Sequence, residues 1–155
     1  MISIRKALPG DAAFIAEHAH RLLNFNLPKW RVNEKEKMVK ADINHITKAL
    51  ENNAANDCVF IAEDASNKPI GFIRLVLQKD YYTGEQHAHV NDIVVIAEAE
   101  GQGVGSLLLK QADEWAKASN VRWITLNVFN ENERAKAVYQ KAGYTIEWIK
   151  YLKEI

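Results

Sequence analysis

Cysteine and net charge are both scarce in this chain, and each shortage excludes a class of protein. Among its 155 residues Cys58 is the single cysteine, so no disulfide can form within the chain. The apolar surroundings of Cys58 predict a buried thiol. The 20 basic and 20 acidic residues cancel and are interspersed. We therefore expect no nucleic-acid partner, because nucleic acids are bound through concentrated positive charge.

Long apolar runs are also absent. No stretch approaches the about 18 consecutive apolar residues that a membrane-spanning helix needs. The opening segment MISIRKALPGD lacks the apolar core of a signal peptide. We therefore expect a cytoplasmic protein without a membrane partner. Its length and its 48% hydrophobic content fit one globular domain over residues 1–155.

Apolar periodicity and turn-forming residues divide the chain into alternating strands and helices. Strands are predicted at 2–8, 58–64, 69–80, 87–98, 122–129 and 144–153, and helices at 12–25, 34–50, 106–119 and 132–143. The strands at 58–64 and 69–80 are joined by a short polar turn, which predicts a hairpin. This order, βααβββαβαβ, is typical of a mixed α/β domain of the α+β kind.

Glycine is used sparingly, which makes one cluster informative. The chain has 7 glycines, and Gly101, Gly103 and Gly105 stand together directly before an apolar helix. Each glycine costs conformational entropy on folding, so such a cluster indicates that the backbone must come close to something. A buried strand, a loop and a helix N-terminus together favour an anion, because unpaired N–H groups and the helix dipole point into the loop. Phosphate is the expected ligand.

Two common phosphate-binding motifs do not fit these glycines. The dinucleotide motif G-x-G-x-x-G would need glycine where the chain has Ser106 or Leu108, and the acidic residue expected about 20 positions later is missing. The P-loop motif needs a lysine after its last glycine, but Ser106 follows Gly105 directly. Both readings are excluded.

The stretch EGQGVG at 100–105 is similar instead to the motif Q/R-x-x-G-x-G/A of the GNAT superfamily of N-acetyltransferases. A second block, N-x-x-A-x-x-x-Y-x-x-x-G-[FY], is matched by Asn132, Ala135, Tyr139, Gly143 and Tyr144. The two blocks occur in the family's order, each on the expected element. The chain therefore resembles this superfamily over nearly its whole length.

Glu100 departs from the family pattern, which usually has arginine or glutamine at this position. A carboxylate beside a pyrophosphate adds repulsion and is expected to weaken coenzyme binding. Lys110 and Arg134 are candidates for a compensating positive charge.

The resemblance implies a mixed central sheet, flanked by helices, whose fourth and fifth strands splay apart. It also implies acetyl-coenzyme A as cosubstrate, with its pantetheine arm along the backbone of the fourth strand. The residues so assigned to coenzyme binding are Ile93, Val94, Val95, Gly101, Gln102, Gly103, Val104, Gly105, Ser106, Asn132 and Ala135. Asn132 is at least as well explained as the N-cap of the following helix.

Acetyl transfer to an amine needs a base, and the strand HAHVNDIVV carries the candidates. Strict alternation would place His87, His89 and Asn91 on one face of this strand and Asp92 on the other. The resemblance favours His89 as the base, directly or through water. Asp92 is the second candidate, although a buried aspartate more often serves a structural hydrogen bond.

The resemblance also assigns Tyr139 as the acid that protonates the departing thiolate, since a phenol keeps its proton at neutral pH. A backbone N–H at Val94 or Val95 would polarise the acetyl oxygen. His18, His20 and His45 lack partners at a ligand spacing, so no metal is expected.

The acceptor pocket of such enzymes would include Phe25, Trp30, Tyr82 and Glu85, where aromatics and a carboxylate suit a small cation. The same side chains also fit ordinary packing or the surface of a homodimer. The expected acceptor is the primary amine of a small molecule, such as a polyamine, an amino acid or an aminoglycoside-like compound. Two alternatives stay open: acetylation of a protein or peptide, and a binding module that holds coenzyme A without turnover.

Overall fold

The computed structural model describes all 155 residues and has a five-stranded sheet at its centre. Its strands lie side by side in chain order: β1 (Ser3–Lys6), β2 (Asp57–Glu63), β3 (Pro69–Lys79), β4 (Gln86–Val95) and β5 (Ile124–Leu126). The first four strands pair antiparallel, and β5 is parallel to β4. The predicted mixed sheet and the predicted β2–β3 hairpin are both confirmed.

Four α-helices accompany the sheet: α1 (Ala12–His18), α2 (Lys35–Asn52), α3 (Val104–Ala118) and α4 (Glu133–Lys141). The helix predicted at 12–25 continues from α1 as a 3-10 segment, Ala19–Leu23, and a second 3-10 segment, Lys29–Glu34, precedes α2. No helix combines the length and the hydropathy that a membrane crossing requires.

The helices bury two separate apolar clusters, one on each face of the sheet. On one face, Ile15 of α1 and Ile46 of α2 pack against strand residues such as Phe72. On the other face, α3 packs Leu108, Ala112, Trp115 and Ala116 against the sheet, as their helical spacing predicts. Cys58 is buried in this second cluster, which confirms its predicted environment.

A β-bulge interrupts the pairing of β4 with β3. Asp92 lies opposite Arg74, but the next pair is Val90 with Leu75, so Asn91 is an extra residue on β4. Such an insertion reverses the alternation of side chains beyond it. His89 therefore points to the α1–α2 face together with Asp92, and the expectation that these two residues lie on opposite faces is wrong. Strict alternation could not reveal the bulge, because it assumes one residue per pleat.

The pairing between β4 and β5 is short, and it leaves a cleft between the two strands. Ala88, His89 and Val90 pair with the three residues of β5, whereas β4 continues to Val95 with no strand beside it on that edge. The predicted splay is confirmed. The strand predicted at 122–129 shrinks to Ile124–Leu126, because the chain diverges from β4 beyond Leu126 and loses its ladder partner.

The last predicted strand, at 144–153, is absent. Gly143, with φ of 93°, turns the chain after α4, and residues 144–155 form no regular element. Tyr144 is half-buried, but the later apolar side chains are exposed, including Ile146 (75%), Trp148 (69%) and Tyr151 (89%). An alternating pattern yields a strand only where a neighbouring strand supplies hydrogen bonds, and no strand pairs with this segment.

Gly71 lies where β3 has no room for a side chain beside β4, and its substitution is a test of this packing. A Cβ at position 71 would lie 2.7 Å from the carbonyl oxygen of Val94, whereas one at Gly10 would meet nothing within 4 Å. We expect Gly71→Ala to lower the free energy of unfolding by about 1–3 kcal/mol, as overpacking does. Gly10→Ala is the matched control. Urea unfolding of both variants measures the difference, and equal stabilities would contradict the close pairing of β3 with β4 at this position.

Candidate functional site

The glycine loop ends at the first turn of α3. Gly101 and Gly103 have φ values of 76° and 81°, in the left-handed region that favours glycine. Gly103 is the N-cap of α3 and has no side chain to cap the helix. The N–H groups of Val104, Gly105 and Ser106 find no acceptor within the protein, as is usual for a first helical turn without a capping side chain. The loop therefore presents unpaired donors and the positive end of the helix dipole.

Gly105 is different, because its backbone is helical and no conformational need explains it. A Cβ there would meet only the Cγ2 atom of Val95, at 3.9 Å. Glycine within a helix costs roughly 0.5–1 kcal/mol relative to alanine. The missing side chain leaves open space between the start of α3 and the end of β4. We call the loop from Gly101 to Gly105, together with this space, the cradle.

The free edge of β4 lies beside the cradle. The N–H of Ile96 donates to the carbonyl of Ile70 on β3, at 3.0 Å. Backbone direction alternates along a strand, so Ile93 and Val95 turn their N–H and C=O groups away from β3 and into the cleft. Val94 faces β3 instead. Of the two N–H groups predicted to polarise an acetyl oxygen, the one at Val95 faces the cleft and the one at Val94 does not.

Glu100 does not stand free at the mouth of the cradle. Its carboxylate forms ion pairs with Arg21, and with Nη2 of Arg134 at 2.8 Å. Hydrogen bonding to Arg134 is the main cause that holds the pKa of Glu100 below its ordinary value. Arg134 is thus confirmed as a compensating charge, whereas Lys110 is not. No local pattern in the sequence indicates Arg21, which lies 79 residues before Glu100.

Two buried histidines line the α1–α2 face of β4 where it pairs with β5. His87 and His89 are each only 7% exposed. Nδ1 of His89 lies 2.7 Å from the hydroxyl of Thr125, its direct neighbour on β5. Burial, and secondly the charge of His87, lowers the pKa of His89, so its ring is neutral at neutral pH. His87 stacks on Trp123, and its Nδ1 is buried without a hydrogen-bond partner.

Asp92 is part of a separate ionic cluster on the same face. It accepts a hydrogen bond from Asn91 at 3.1 Å and lies 3.6 Å from a guanidinium nitrogen of Arg74. Arg74 is also bound by both carboxylate oxygens of Asp57. Burial is the main cause that raises the pKa of Asp92. Burial, and secondly the charge of Asp92, raises the pKa of Asp42, on α2, to about 6. These contacts favour a structural role for Asp92.

Helix α4 carries the second sequence block. The side chain of Asn132 accepts a hydrogen bond from the N–H of Ala135 at 3.2 Å, so its predicted capping role is confirmed. Tyr139 is half-buried and packs against the apolar cluster between α3 and the sheet. Its ring lies edge-on to Tyr144 at a centroid distance of 6.0 Å. Burial raises the pKa of Tyr139, which keeps its phenol protonated at neutral pH.

The predicted acceptor residues fall in different parts of the molecule. Phe25 packs on Phe129 at a centroid distance of 5.4 Å, next to the chain leaving β5, and Trp30 is 46% exposed. Tyr82 and Glu85 lie in the exposed turn between β3 and β4. That turn is at the opposite end of β4 from the cradle, roughly 30 Å away at the usual rise per strand residue. No group of three or more His, Cys, Asp or Glu side chains is placed to hold a metal ion.

The two buried histidines give a direct test of this geometry. Replacing His87 with glutamine removes its electrostatic effect, the second cause that lowers the pKa of His89, so the pKa of His89 should rise towards its ordinary value of about 6.5. Histidine ring signals followed by NMR across pH 4–8 measure the shift. His20→Gln, on an exposed histidine, is the control and should leave the pKa of His89 unchanged. An unchanged or lower pKa in His87→Gln would show that the two rings are not coupled.

Comparison with known proteins agrees with this arrangement. The model of the acetyltransferase (GNAT) family matches residues 19–144. The uncharacterized N-acetyltransferase YhfO of Bacillus subtilis is 27% identical over 143 residues, which cover 92% of this chain and 89% of YhfO. The aminoglycoside N(6')-acetyltransferase type 1 of Stenotrophomonas maltophilia is 26% identical over 145 residues, which cover 92% of this chain and 85% of that enzyme.

Among solved structures, AAC(6')-Iy in complex with the bisubstrate analogue CoA-S-monomethyl-acetylneamine has a similar fold. It superposes with a TM-score of 0.71 at 21% identity, covering 100% of this chain and 99% of that one. With a family match that spans most of its length, a splayed β4–β5 pair and the cradle at the start of α3, this chain belongs to the GNAT family of acetyltransferases.

Proposed function

We propose that this protein transfers an acetyl group from acetyl-coenzyme A to a primary amine of a small molecule, of the polyamine, amino acid or aminoglycoside-like class. The observation that carries the proposal is the cradle, where unpaired N–H groups and an unfilled glycine position adjoin the free edge of β4. The small-molecule acceptor is supported by the relative from Stenotrophomonas maltophilia, which is named for aminoglycosides. The coenzyme is supported by AAC(6')-Iy, which was solved with a coenzyme A analogue.

The residues of the cradle fit a coenzyme that combines phosphates with amide groups. The N–H groups of Val104, Gly105 and Ser106 would hold a phosphate, as helix N-termini commonly do. The N–H and C=O groups of Ile93 would pair with the pantetheine arm, like an added strand. The carbonyl of Val95 already accepts from Nε of Arg21 at 2.8 Å. The side chain of Gln102 donates to the carbonyl of Glu98 at 2.8 Å, so it serves the loop itself. Bound acetyl-coenzyme A would supply the activated thioester.

His89 is the base that this geometry favours. An alkylammonium has a pKa near 10.4, so about one molecule in a thousand is neutral at pH 7 and a proton must be removed. His89 is neutral at that pH because its pKa is lowered. Its Nε2 can accept a proton only in the tautomer whose Nδ1–H donates to Thr125. Asp92 is the weaker candidate, because Asn91 and Arg74 already engage its carboxylate.

Tyr139 is the proposed acid. Its raised pKa means that it still carries its proton at neutral pH and can donate it to the sulfur that leaves. The N–H of Val95, which faces the cleft, is the proposed donor to the acetyl oxygen. These roles assign proton removal to β4 and proton supply to α4.

Gly105→Ala separates a coenzyme site from a simple turn. The protein has room for this Cβ, so the variant should be as stable as the wild type or more stable by about 0.5–1 kcal/mol, through higher helix propensity. The same Cβ would enter the cradle, so binding of acetyl-coenzyme A should weaken at least several-fold. Calorimetric titration and thermal unfolding measure the two effects. Unchanged coenzyme affinity would remove the basis for the proposed function.

Conservative variants test the two proton carriers. Tyr139→Phe keeps the ring and should retain coenzyme affinity while turnover falls roughly 10²–10⁴-fold. His89→Gln should remove the acidic limb of the rate profile, which we expect below about pH 6.5 because burial lowers the pKa of His89. Asp92→Asn tests the rival base and should leave that limb in place.

The measurement is thiol release with a panel of polyamines, amino acids, aminoglycosides and short peptides. Selective turnover of the peptides would favour the protein or peptide acetyltransferase. Coenzyme binding without turnover of any amine would favour the non-catalytic module. Full activity in both the Tyr139→Phe and His89→Gln proteins would contradict the assigned roles. Only the proposed coenzyme site would then remain supported.

A further inference from the structure

One carboxylate ties together three parts of the molecule at the entrance to the cleft. Glu100, in the loop before Gly101, binds Arg21 from the 3-10 segment Ala19–Leu23 and Arg134 from the first turn of α4. We call these three side chains the Glu100 bridge. One carboxylate and two guanidinium groups leave a net positive charge next to the unpaired N–H groups of the cradle. The bridge therefore attracts an anion, although the residue at its centre is acidic.

The two arginines of the bridge differ in how firmly they are held. The side chain of Arg21 is 15% exposed, and its Nε also donates to the carbonyl of Val95 at 2.8 Å. The side chain of Arg134 is 69% exposed and is bound to Glu100 alone. No residue of α4 is fully buried. An exposed single ion pair is weak, so Arg134 can leave Glu100 at little cost, whereas Arg21 cannot.

We propose that Arg134 is the phosphate-binding cation of the coenzyme site, and that Glu100 holds it beside the cradle until a phosphate group of the coenzyme replaces the carboxylate. This inference rests on the proposed function. A phosphate offers a guanidinium two parallel charge-assisted hydrogen bonds and more negative charge than a carboxylate. After the exchange Glu100 keeps Arg21 as its partner, so no charge is left unpaired. Glu100 thus competes with the ligand for Arg134, and Arg21 limits the repulsion that remains.

The alternative role for the bridge is a structural strut that fastens α4 to the loop. A strut would affect every ligand of the cleft alike, because it would act through the position of α4. An exchange of Arg134 between carboxylate and phosphate would affect only ligands that carry phosphate. Coenzyme A and pantetheine, which shares the arm but has no phosphate, therefore distinguish the two roles.

Arg134→Gln is the first variant, and Lys141→Gln, in the last turn of the same helix, is its control for lost charge. We expect Arg134→Gln to weaken coenzyme A binding about 10-fold at low salt, less at high salt where exposed charges are screened. The thermal shift caused by several millimolar pantetheine should be unchanged. Lys141→Gln should match the wild type with both ligands. Calorimetric titration gives the coenzyme affinities.

Glu100→Gln is the second variant, and it preserves the shape of the side chain while removing the competing charge. It should tighten coenzyme A binding several-fold, and this gain should shrink in the double variant with Arg134→Gln, because the two residues are coupled. The inference is overturned if Glu100→Gln weakens coenzyme A binding. It is also overturned if Arg134→Gln leaves coenzyme A affinity intact or impairs both ligands equally. A wild-type protein that binds no coenzyme A would instead refute the proposed function itself.

Discussion

Unequal pairing of β4 with its two neighbours is the constraint on which the rest of the structure depends. β4 pairs with β3 along its whole length except at the bulge, but it pairs with β5 at only three residues. The first ladder fixes β4 rigidly in the sheet. The second leaves the backbone groups of Ile93 and the N–H of Val95 without a strand partner on one edge, which is costly unless water or a ligand pairs with them. The carbonyl of Val95 accepts a hydrogen bond from Arg21 instead. A rigid strand with an open edge is what an extended ligand needs in order to bind by adding to a sheet.

The bulge at Asn91 determines which side chains of β4 lie on the α1–α2 face. Before the bulge β4 turns its histidines to the α1–α2 face, and after it the same face receives Asp92 and Val94. The candidate base and the ionic cluster of Asp92 are therefore neighbours on one surface, while the cradle stands at the end of the strand. Bulges often occur beside functional sites for this reason, since one extra residue redirects every side chain that follows.

Local patterns predicted much of this fold, and contacts between distant segments account for the rest. The glycines at 101–105 and the capping residue Asn132 act through neighbouring backbone, so their roles can be read from short stretches. The partnership of Glu100 with Arg21 joins segments 79 residues apart and has no local signature. The bulge at Asn91 depends on β3, and the final segment 144–155 resembles a strand in pattern but has no strand beside it. In each of these cases the structure depends on a contact with a distant segment, and a local sequence pattern does not reveal such a contact.

Charge can attract a ligand only locally in this molecule, because the 20 basic and 20 acidic residues give the chain a formal net charge of zero. A neutral protein attracts a phosphate only over distances comparable to the Debye length, about 8–10 Å at moderate salt. In the proposed site the donors are neutral N–H groups, supplemented by guanidinium groups that are already partly neutralised by Glu100. Small inorganic anions would gain little from so moderate a charge. A ligand that also pairs with the edge of β4 gains at both places, so selectivity would come from combining the cradle with the strand rather than from charge alone.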